Sequence, residues 1–192
     1  MPDRPVTPAA PDQASAAGAR GWARAAHRVR AFLLLAAVVA VLDQATKALV
    51  RANLAVGERW PEGWDLIRLT HIRNTGAAFG ILQGAGDFLV VASLLGVGAI
   101  TFFLLSLPGH GRLYPLTLSL ILGGAIGNLI DRVRLGHVTD FIDPWNYPAF
   151  NLADSAIVVG VIGMAILSFM EPDEAPASPA RTGGEASAEH AG

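Results

Sequence analysis

Apolar residues are concentrated in four long runs, and polar residues return between them. The runs cover approximately residues 30–50, 88–107, 113–131 and 151–170. A helix of about 20 apolar residues is long enough to cross the hydrocarbon core of a bilayer. The pattern therefore predicts an all-α membrane fold with four transmembrane helices.

The first run also has a feature of signal peptides, because Arg20, Arg24, Arg28 and Arg30 lie before or at its start. No A-x-A-like cleavage site ends this run, and the helical pattern continues through residues 45–50. We therefore expect a first helix that is retained, and a cleaved signal peptide is the alternative.

The segment 51–87 has mixed polarity. Residues 66–72 combine apolar and polar positions as short strands do, and residues 74–76, Asn-Thr-Gly, supply a turn. Trp60 and Trp64 fit the aromatic belt at a membrane–water interface. We expect a small extramembrane β-sheet element here, outside the four helices.

The two ends of the chain, residues 1–27 and 171–192, are rich in Pro, Ala, Gly and Ser and contain few large apolar residues. Segments of this kind cannot bury enough apolar surface to fold alone, so we expect disordered tails. Residues 28–170 then form one domain, which contains all four helices and the β element.

Composition narrows the class of protein. Of 192 residues, 52% are hydrophobic and only 16% are charged, which is too apolar for an ordinary soluble domain. A net charge of −2, without a basic and aromatic face, gives no indication of nucleic-acid binding. The absence of cysteine excludes disulfides, thiolate catalysis and cysteine metal sites.

Acidic residues between positions 123 and 154 stand out against this apolar background. Asp131 ends the third run, Asp154 opens the fourth, and Asp140 and Asp143 lie between them. An ionisable group at membrane depth is costly and is by default a functional-site hypothesis. These carboxylates suggest acid–base chemistry, ion coupling or a metal site.

Counting four passes puts both termini on one side of the membrane and the polar candidates on the other. Asp43 and Asn74 belong to the same surface as the acidic residues, by this count. The Lys and Arg residues of the two sides are nearly balanced, but the four arginines before or at the start of the first run favour cytoplasmic termini. Asp43 also lies one helical turn before Lys47, so these two can pair, or Asp43 can face the bundle interior.

Two carboxylates that share one site cannot both ionise cheaply, so one keeps a proton while the other is charged. Such a pair can activate water without a cofactor. Asp154, near a helix N-terminus, is the expected charged member because the helix dipole favours an anion there. Spacing alone leaves its partner open among Asp131, Asp140 and Asp143.

Five blocks of the sequence resemble the motifs of the bacterial lipoprotein signal peptidases, also called signal peptidase II. The blocks are LDQATK (42–47), RNTGAAFG (73–80), GGAIGNLIDR (123–132), VTDF (138–141) and FNLAD (150–154). The resemblance covers residues 30–170, and five blocks in order are far more specific than any one of them. It implies an inner-membrane aspartic endopeptidase with four helices and a periplasmic β-sheet, which cleaves prolipoproteins just before a diacylglyceryl-modified cysteine.

The same resemblance assigns roles to individual residues. Asp140 and Asp154 correspond to the catalytic pair, and Asp143 corresponds to no essential residue. It implies membrane lipid as the surroundings and an active site near the periplasmic surface. A carboxylate pair requires no cofactor and no metal, and a monomer is the simpler expectation because one chain holds every group that the mechanism uses. Trp145, Tyr147 and Pro148 are expected to anchor the loop 132–150 at the interface rather than to contact substrate. Residues that support the pair or bind substrate are Asp43, Lys47, Asn74, Gly76, Asn128, Asp131, Arg132 and Asn151.

Other functions remain as alternatives. A proton- or cation-coupled transporter would also hold acids inside the membrane, but it usually has an inverted repeat and carboxylates near the midplane, and neither is visible here. A zinc protease would need a motif such as H-E-x-x-H, which is absent. The coupled transporter is therefore the main alternative to the peptidase.

Overall fold

The computed structural model of the chain describes residues 13–64, 66–76, 86–106 and 113–170. Four helices are each long and apolar enough to cross a membrane, which confirms the predicted fold class. The elements in chain order are α1 (Gln13–Asn53), β1 (Arg59–Trp60), β2 (Ile67–Asn74), α2 (Gly86–Ser106), α3 (Leu113–Leu135), β3 (Val138–Pro144) and α4 (Leu152–Met170).

The first helix is longer than the sequence reading expects. It begins at Gln13, so residues 13–27 are helical where a disordered tail was predicted. This segment is rich in alanine, and adding residues to an existing helix is far easier than starting a new one. The remaining parts of the predicted tails, residues 1–12 and 171–192, lie outside the described residues.

Helix α3 occupies the centre of the bundle and packs against α1, α2 and α4. Its Leu118 and Leu122 form the apolar core together with Ala36 of α1 and Leu104 of α2. The outer faces of the other helices carry exposed apolar side chains, as a protein surrounded by lipid requires. The helix that ends at the candidate acids is therefore the best-packed one.

Two glycines of α3 allow α1 to approach closely. A Cβ atom on Gly123 would lie 2.6 Å from the carbonyl oxygen of Ala36, and one on Gly127 would lie 2.5 Å from Oδ2 of Asp43. Both distances are too short for any side chain. The small-residue pair thus brings the polar end of α1 against the polar end of α3.

The β element is a three-stranded antiparallel sheet in the order β1-β2-β3. Strands β1 and β2 lie within 51–87, as predicted, but β3 comes from the segment 132–150, which was expected to be a loop. Four consecutive residues of β3 are buried, so this strand lacks the apolar–polar alternation that reveals a half-exposed strand. The difference matters because Asp140 lies on this strand, opposite Ile72 of β2.

The sheet lies at the end of the bundle where α1 and α3 end and where α2 and α4 begin. Strand β3 contacts both α1 and α3, and β2 contacts α1. At the far end of β3, Ile142 forms an isolated bridge with Phe150, just before α4. The sheet and the N-terminus of α4 are therefore joined at the surface where the sequence places the polar candidates.

Candidate active site

Asp140 and Asp154 line the same cleft, whose volume is about 590 Å³. One wall comes from β2 and β3 and another from α3 and α4, while residues 147–150 contribute a third side. The cleft therefore lies where the sheet meets the ends of the helices. Polar residues from the sequence-based set that also line it are Asn74, Gly76, Asn128 and Arg132.

Asp140 is 2% exposed. Its Oδ2 accepts a hydrogen bond from Nδ2 of Asn74 at 2.8 Å, and its Oδ1 accepts one from Nδ2 of Asn151 at 2.7 Å. Burial raises the pKa of this carboxyl group to about 6, although the bond from Asn74 acts in the opposite direction. The negative charge of Asp154 contributes further to the rise in pKa. Asp140 is thus suited to exchange a proton in the mildly acidic to neutral range.

Asp154 is held at the first turn of α4 by reciprocal bonds with Asn151. The backbone N–H of Asp154 donates to Oδ1 of Asn151 at 3.0 Å, and the backbone N–H of Asn151 donates to Oδ2 of Asp154 at 3.2 Å. This is the arrangement of a helix-capping box, with Asn151 at the N-cap. Since Nδ2 of the same Asn151 also donates to Asp140, one residue joins the two carboxylates, through its side chain to Asp140 and through its backbone N–H to Asp154.

The amide groups beside these acids are oriented by second partners. Oδ1 of Asn128 accepts from Nζ of Lys47 at 2.8 Å, which turns Nδ2 of Asn128 toward Oδ1 of Asp154, also at 2.8 Å. Oδ1 of Asn74 accepts from the backbone N–H of Gly76 at 3.0 Å, which turns its Nδ2 toward Asp140. Each amide can then offer only a donor to its carboxylate.

Behind Asn128 lies a buried ion cluster between α1 and α3. Nζ of Lys47 is 2.8 Å from Oδ2 of Asp43 and 3.5 Å from Oδ2 of Asp131, and these side chains are at most 1% exposed. Oδ1 of Asp43 also accepts a bond from the backbone N–H of Ala153 at 2.9 Å. Asp43 therefore both pairs with Lys47 and faces the interior of the bundle. It also contacts the first turn of α4.

Asp131 holds strand β3 rather than lining the cleft. Its Oδ2 accepts from the backbone N–H of Thr139 at 2.9 Å, and its Oδ1 accepts from Nε2 of Gln44 at 3.1 Å. Arg51 is also near, with Nη1 3.6 Å from Oδ1 of Asp131. Asp131 thus joins α1, α3 and β3 at the residue that precedes Asp140.

Arg132 is half-buried in the cleft wall, where its charge interacts with Asp154 and Asp140. Tyr147 and Pro148, which are predicted to anchor the loop at the interface, also line the cleft. The reason is that the loop folds back across the ends of the helices after β3.

Asp143 lies outside the cleft, with Oδ2 3.3 Å from Nε of Arg59 and 3.6 Å from Nη2 of Arg68, so it links the three strands.

Three residues at this site were missed by sequence reasoning: Gln44, Arg51 and Thr139. Arg51 lies one helical turn after Lys47, which itself lies one turn after Asp43, so the spacing was a usable signal. Thr139 precedes Asp140, but nothing in the sequence shows that its backbone would meet Asp131. No group of three metal-binding His, Asp or Glu side chains is found among the described residues.

Comparison with known proteins shows the family of the chain. A sequence model of the family described as signal peptidase (SPase) II matches residues 35–170. The chain is 46% identical over 140 residues to the lipoprotein signal peptidase of Dehalococcoides mccartyi (strain BAV1), covering 71% of this chain and 87% of the relative. It is 44% identical over 138 residues to the lipoprotein signal peptidase of Shouchella clausii, covering 71% and 91%.

Two solved structures have a similar fold. A bacterial membrane enzyme determined by the in meso method at 2.3 Å resolution matches with a TM-score of 0.68 and 33% identity, over 72% of this chain and 87% of that one. A second such structure, at 1.9 Å resolution, matches with a TM-score of 0.67 and 32% identity, over 74% and 94%. This chain therefore belongs to the signal peptidase II family and is a multi-pass bacterial membrane peptidase.

Proposed function

We propose that this chain is an inner-membrane aspartic endopeptidase that removes the signal peptide from prolipoproteins, on the N-terminal side of a diacylglyceryl-modified cysteine. The observation that carries the proposal is the pair of carboxylates, Asp140 and Asp154, in one cleft and joined through Asn151. The substrate class is supported by the relatives, which are named lipoprotein signal peptidases.

In the proposed reaction the two acids share one proton, which Asp140 carries. Asp154 takes a proton from a water molecule as the water oxygen bonds to the carbonyl carbon of the scissile peptide, and Asp140 gives its proton to the carbonyl oxygen. When the carbon–nitrogen bond breaks, Asp154 returns its proton to the leaving amine and Asp140 recovers its own from the intermediate. The raised pKa of Asp140 supports this division of roles.

The surroundings of the pair support a peptide substrate that enters from the membrane. Ile157 and Val158 of α4 line the cleft, and Val158 is also exposed on the outer face of the bundle. A signal helix lying against α4 can therefore present its end to the acids. Arg132 in the cleft wall has donors that suit a peptide carbonyl, and we assign it to substrate binding.

A diacylglyceryl group on the cysteine would fix the depth of the scissile bond. Its acyl chains gain about 0.8 kcal/mol for each methylene that stays in lipid, so they resist movement out of the membrane. Binding energy of this kind positions the peptide for reaction, so it should raise turnover as well as affinity. Matched peptides with and without the lipid, compared in one detergent, test this: equal cleavage of both would contradict it.

Orientation and assembly follow from the same proposal. We infer that both termini are cytoplasmic and that the cleft opens near the periplasmic surface, because four spans leave the sheet opposite the termini and arginines lie before or at the start of the first span. A monomer is sufficient, since one chain holds every group that the mechanism uses.

The direct test replaces each acid by its amide. Asp140→Asn and Asp154→Asn should each abolish cleavage of a lipidated prolipoprotein peptide by the purified protein, and the double variant should be hardly worse than either. Asp87→Asn is the matched control, because Asp87 is an exposed acid at the start of α2 on the same membrane side. Substantial activity in either single variant removes that acid from the mechanism. Proton or cation flux in proteoliposomes would instead favour the coupled transporter.

A further inference from the structure

The two acids lie on different kinds of element, so their relative position depends on how the sheet is attached to the bundle. Asp154 is on helix α4, whereas Asp140 is on strand β3. A catalytic pair must be held to within a fraction of an ångström to work efficiently. The contacts that fix β3 next to Asp140 are therefore part of the catalytic geometry.

Strand β3 is held on both sides of Asp140. After it, the backbone N–H of Phe141 donates to the carbonyl oxygen of Phe150 at 2.9 Å. Before it, the backbone N–H of Thr139 donates to Oδ2 of Asp131, also at 2.9 Å. Backbone groups flanking the acid are thus bonded to the segment before α4 and to the end of α3.

A second contact holds Thr139 by its side chain. Nη1 of Arg51, near the end of α1, donates to Oγ1 of Thr139 at 3.0 Å, and the same atom is 3.6 Å from Oδ1 of Asp131. Thr139 is fully buried and Asp131 is 1% exposed, so water has little access to their ends of these bonds, whereas the side chain of Arg51 is 25% exposed. Arg51 therefore holds the side chain of Thr139, and Asp131 holds its backbone N–H.

We infer that Arg51 is a positioning residue for Asp140, which acts through Thr139 and Asp131 and does not touch the substrate. Arg51 does not line the cleft, so a direct contact with the peptide is not its role. Its charge also matters, because the nearest cation otherwise available to Asp131 is Lys47, which is closer to Asp43. The inference rests on the proposed peptidase function.

The expected signature is a loss of turnover without a loss of substrate binding. Arg51→Met should lower kcat about 10- to 100-fold, since small misplacement of a catalytic group has effects of this size. KM should change by no more than about threefold, because the cleft walls are intact. Thr139→Val removes the other end of the same bond and should reproduce the effect, while Thr139→Ser keeps the hydroxyl and should restore most of kcat.

Coupling between the two residues separates positioning from general destabilisation. If Arg51 acts through Thr139, the double variant Arg51→Met/Thr139→Val should have nearly the kcat of either single variant, because both remove one contact. If the two substitutions were independent structural defects, their fold-reductions in kcat would instead multiply in the double variant. Arg30→Met is the matched control, since Arg30 is an exposed arginine near the other end of the span on the same helix.

The experiment measures kcat and KM on a lipidated prolipoprotein peptide, with melting temperature in the same detergent as a check on folding. Wild-type kcat in Arg51→Met, a change confined to KM, or multiplicative losses in the double variant would each overturn the inference. Failure of the wild-type protein to cleave would instead refute the peptidase function itself, so the two failures are distinguishable.

Discussion

Replacement of Lys47 by methionine tests the buried ion cluster that supports Asn128. Lys47 is fully buried between Asp43 and Asp131, and its Nζ also donates to Asn128. Methionine has a similar length and no charge, so the change removes the cation and leaves the packing nearly intact. It leaves the carboxylate of Asp43 buried without its nearest positive partner.

The expected loss in the free energy of unfolding is about 3–5 kcal/mol, which is typical when one partner of a buried ion pair is removed. Asp43→Asn alone should cost a similar amount, because it leaves Lys47 with fewer anionic partners. The double variant Asp43→Asn/Lys47→Met should cost no more than either single variant, since no unpaired charge then remains from this pair. Arg51 and Asp131 keep their own pairing in that double variant.

Activity should behave differently from stability. Without Lys47, Oδ1 of Asn128 keeps only the longer bond from Nδ2 of Asn151, at 3.2 Å, so the donor of this amide is held less firmly against Asp154. We therefore expect the double variant to regain stability but to remain slow in kcat. The double variant therefore separates the contribution of the cluster to stability from its contribution to kcat.

Unfolding can be followed through Lys47 itself, because it is the only lysine in the chain. Labelling of its buried amine during denaturation in mixed micelles reports opening of the cluster in wild type, and circular dichroism provides the same midpoint for variants that lack lysine. Arg30→Met serves as the control for loss of a cation from α1. If Lys47→Met is as stable as wild type, or if the double variant loses the sum of both singles, the reasoning about the buried charge is wrong.

Three further predictions follow from the same contacts. The pKa of Asp140 is higher in the folded chain, at about 6, than its ordinary value of 3.8, so this group stabilises the fold below pH 3.8 and that contribution is lost as the pH rises through 6. The free energy of unfolding should fall by about 3 kcal/mol over this pH range, and this fall should disappear in Asp140→Asn. The kcat/KM of wild type should also fall above pH 6. A flat pH profile of stability would contradict the first statement, and a flat profile of kcat/KM the second. Gly127→Ala should destabilise the fold by about 1–3 kcal/mol, because the new Cβ would lie 2.5 Å from Oδ2 of Asp43. Gly98→Ala is the control and should be neutral, because a Cβ there has nothing within 4 Å. Equal effects of the two substitutions would show that the close approach is unimportant. Treatment with EDTA should leave turnover unchanged, since the described residues bring no three metal-binding side chains together; a loss reversed by zinc would disprove the aspartic mechanism.

Much of the architecture could be read from the sequence because it depends on local properties. The length of an apolar run decides whether a helix can cross a bilayer, and the four runs needed no knowledge of their neighbours. The same holds for Gly123 and Gly127, whose spacing on one helix face predicts close approach, and for the motif blocks that contain Asp140 and Asp154. Residues 13–27 are the exception, since a helix extended from an ordered neighbour overrides a composition typical of tails.

Tertiary structure decided what depends on residues far apart in the chain. Spacing left Asp131, Asp140 and Asp143 equivalent as partners for Asp154, although they lie on one short segment. Folding separates them: Asp131 turns to α1 and Thr139, Asp143 turns to the arginines of β1 and β2, and Asp140 shares Asn151 with Asp154 in the cleft. The physical reason is that Asp131 lies on helix α3, whereas Asp140 and Asp143 lie three residues apart on strand β3, where side chains alternate between the two faces. The pairing of β3 with β2 is set by contacts that no local pattern records.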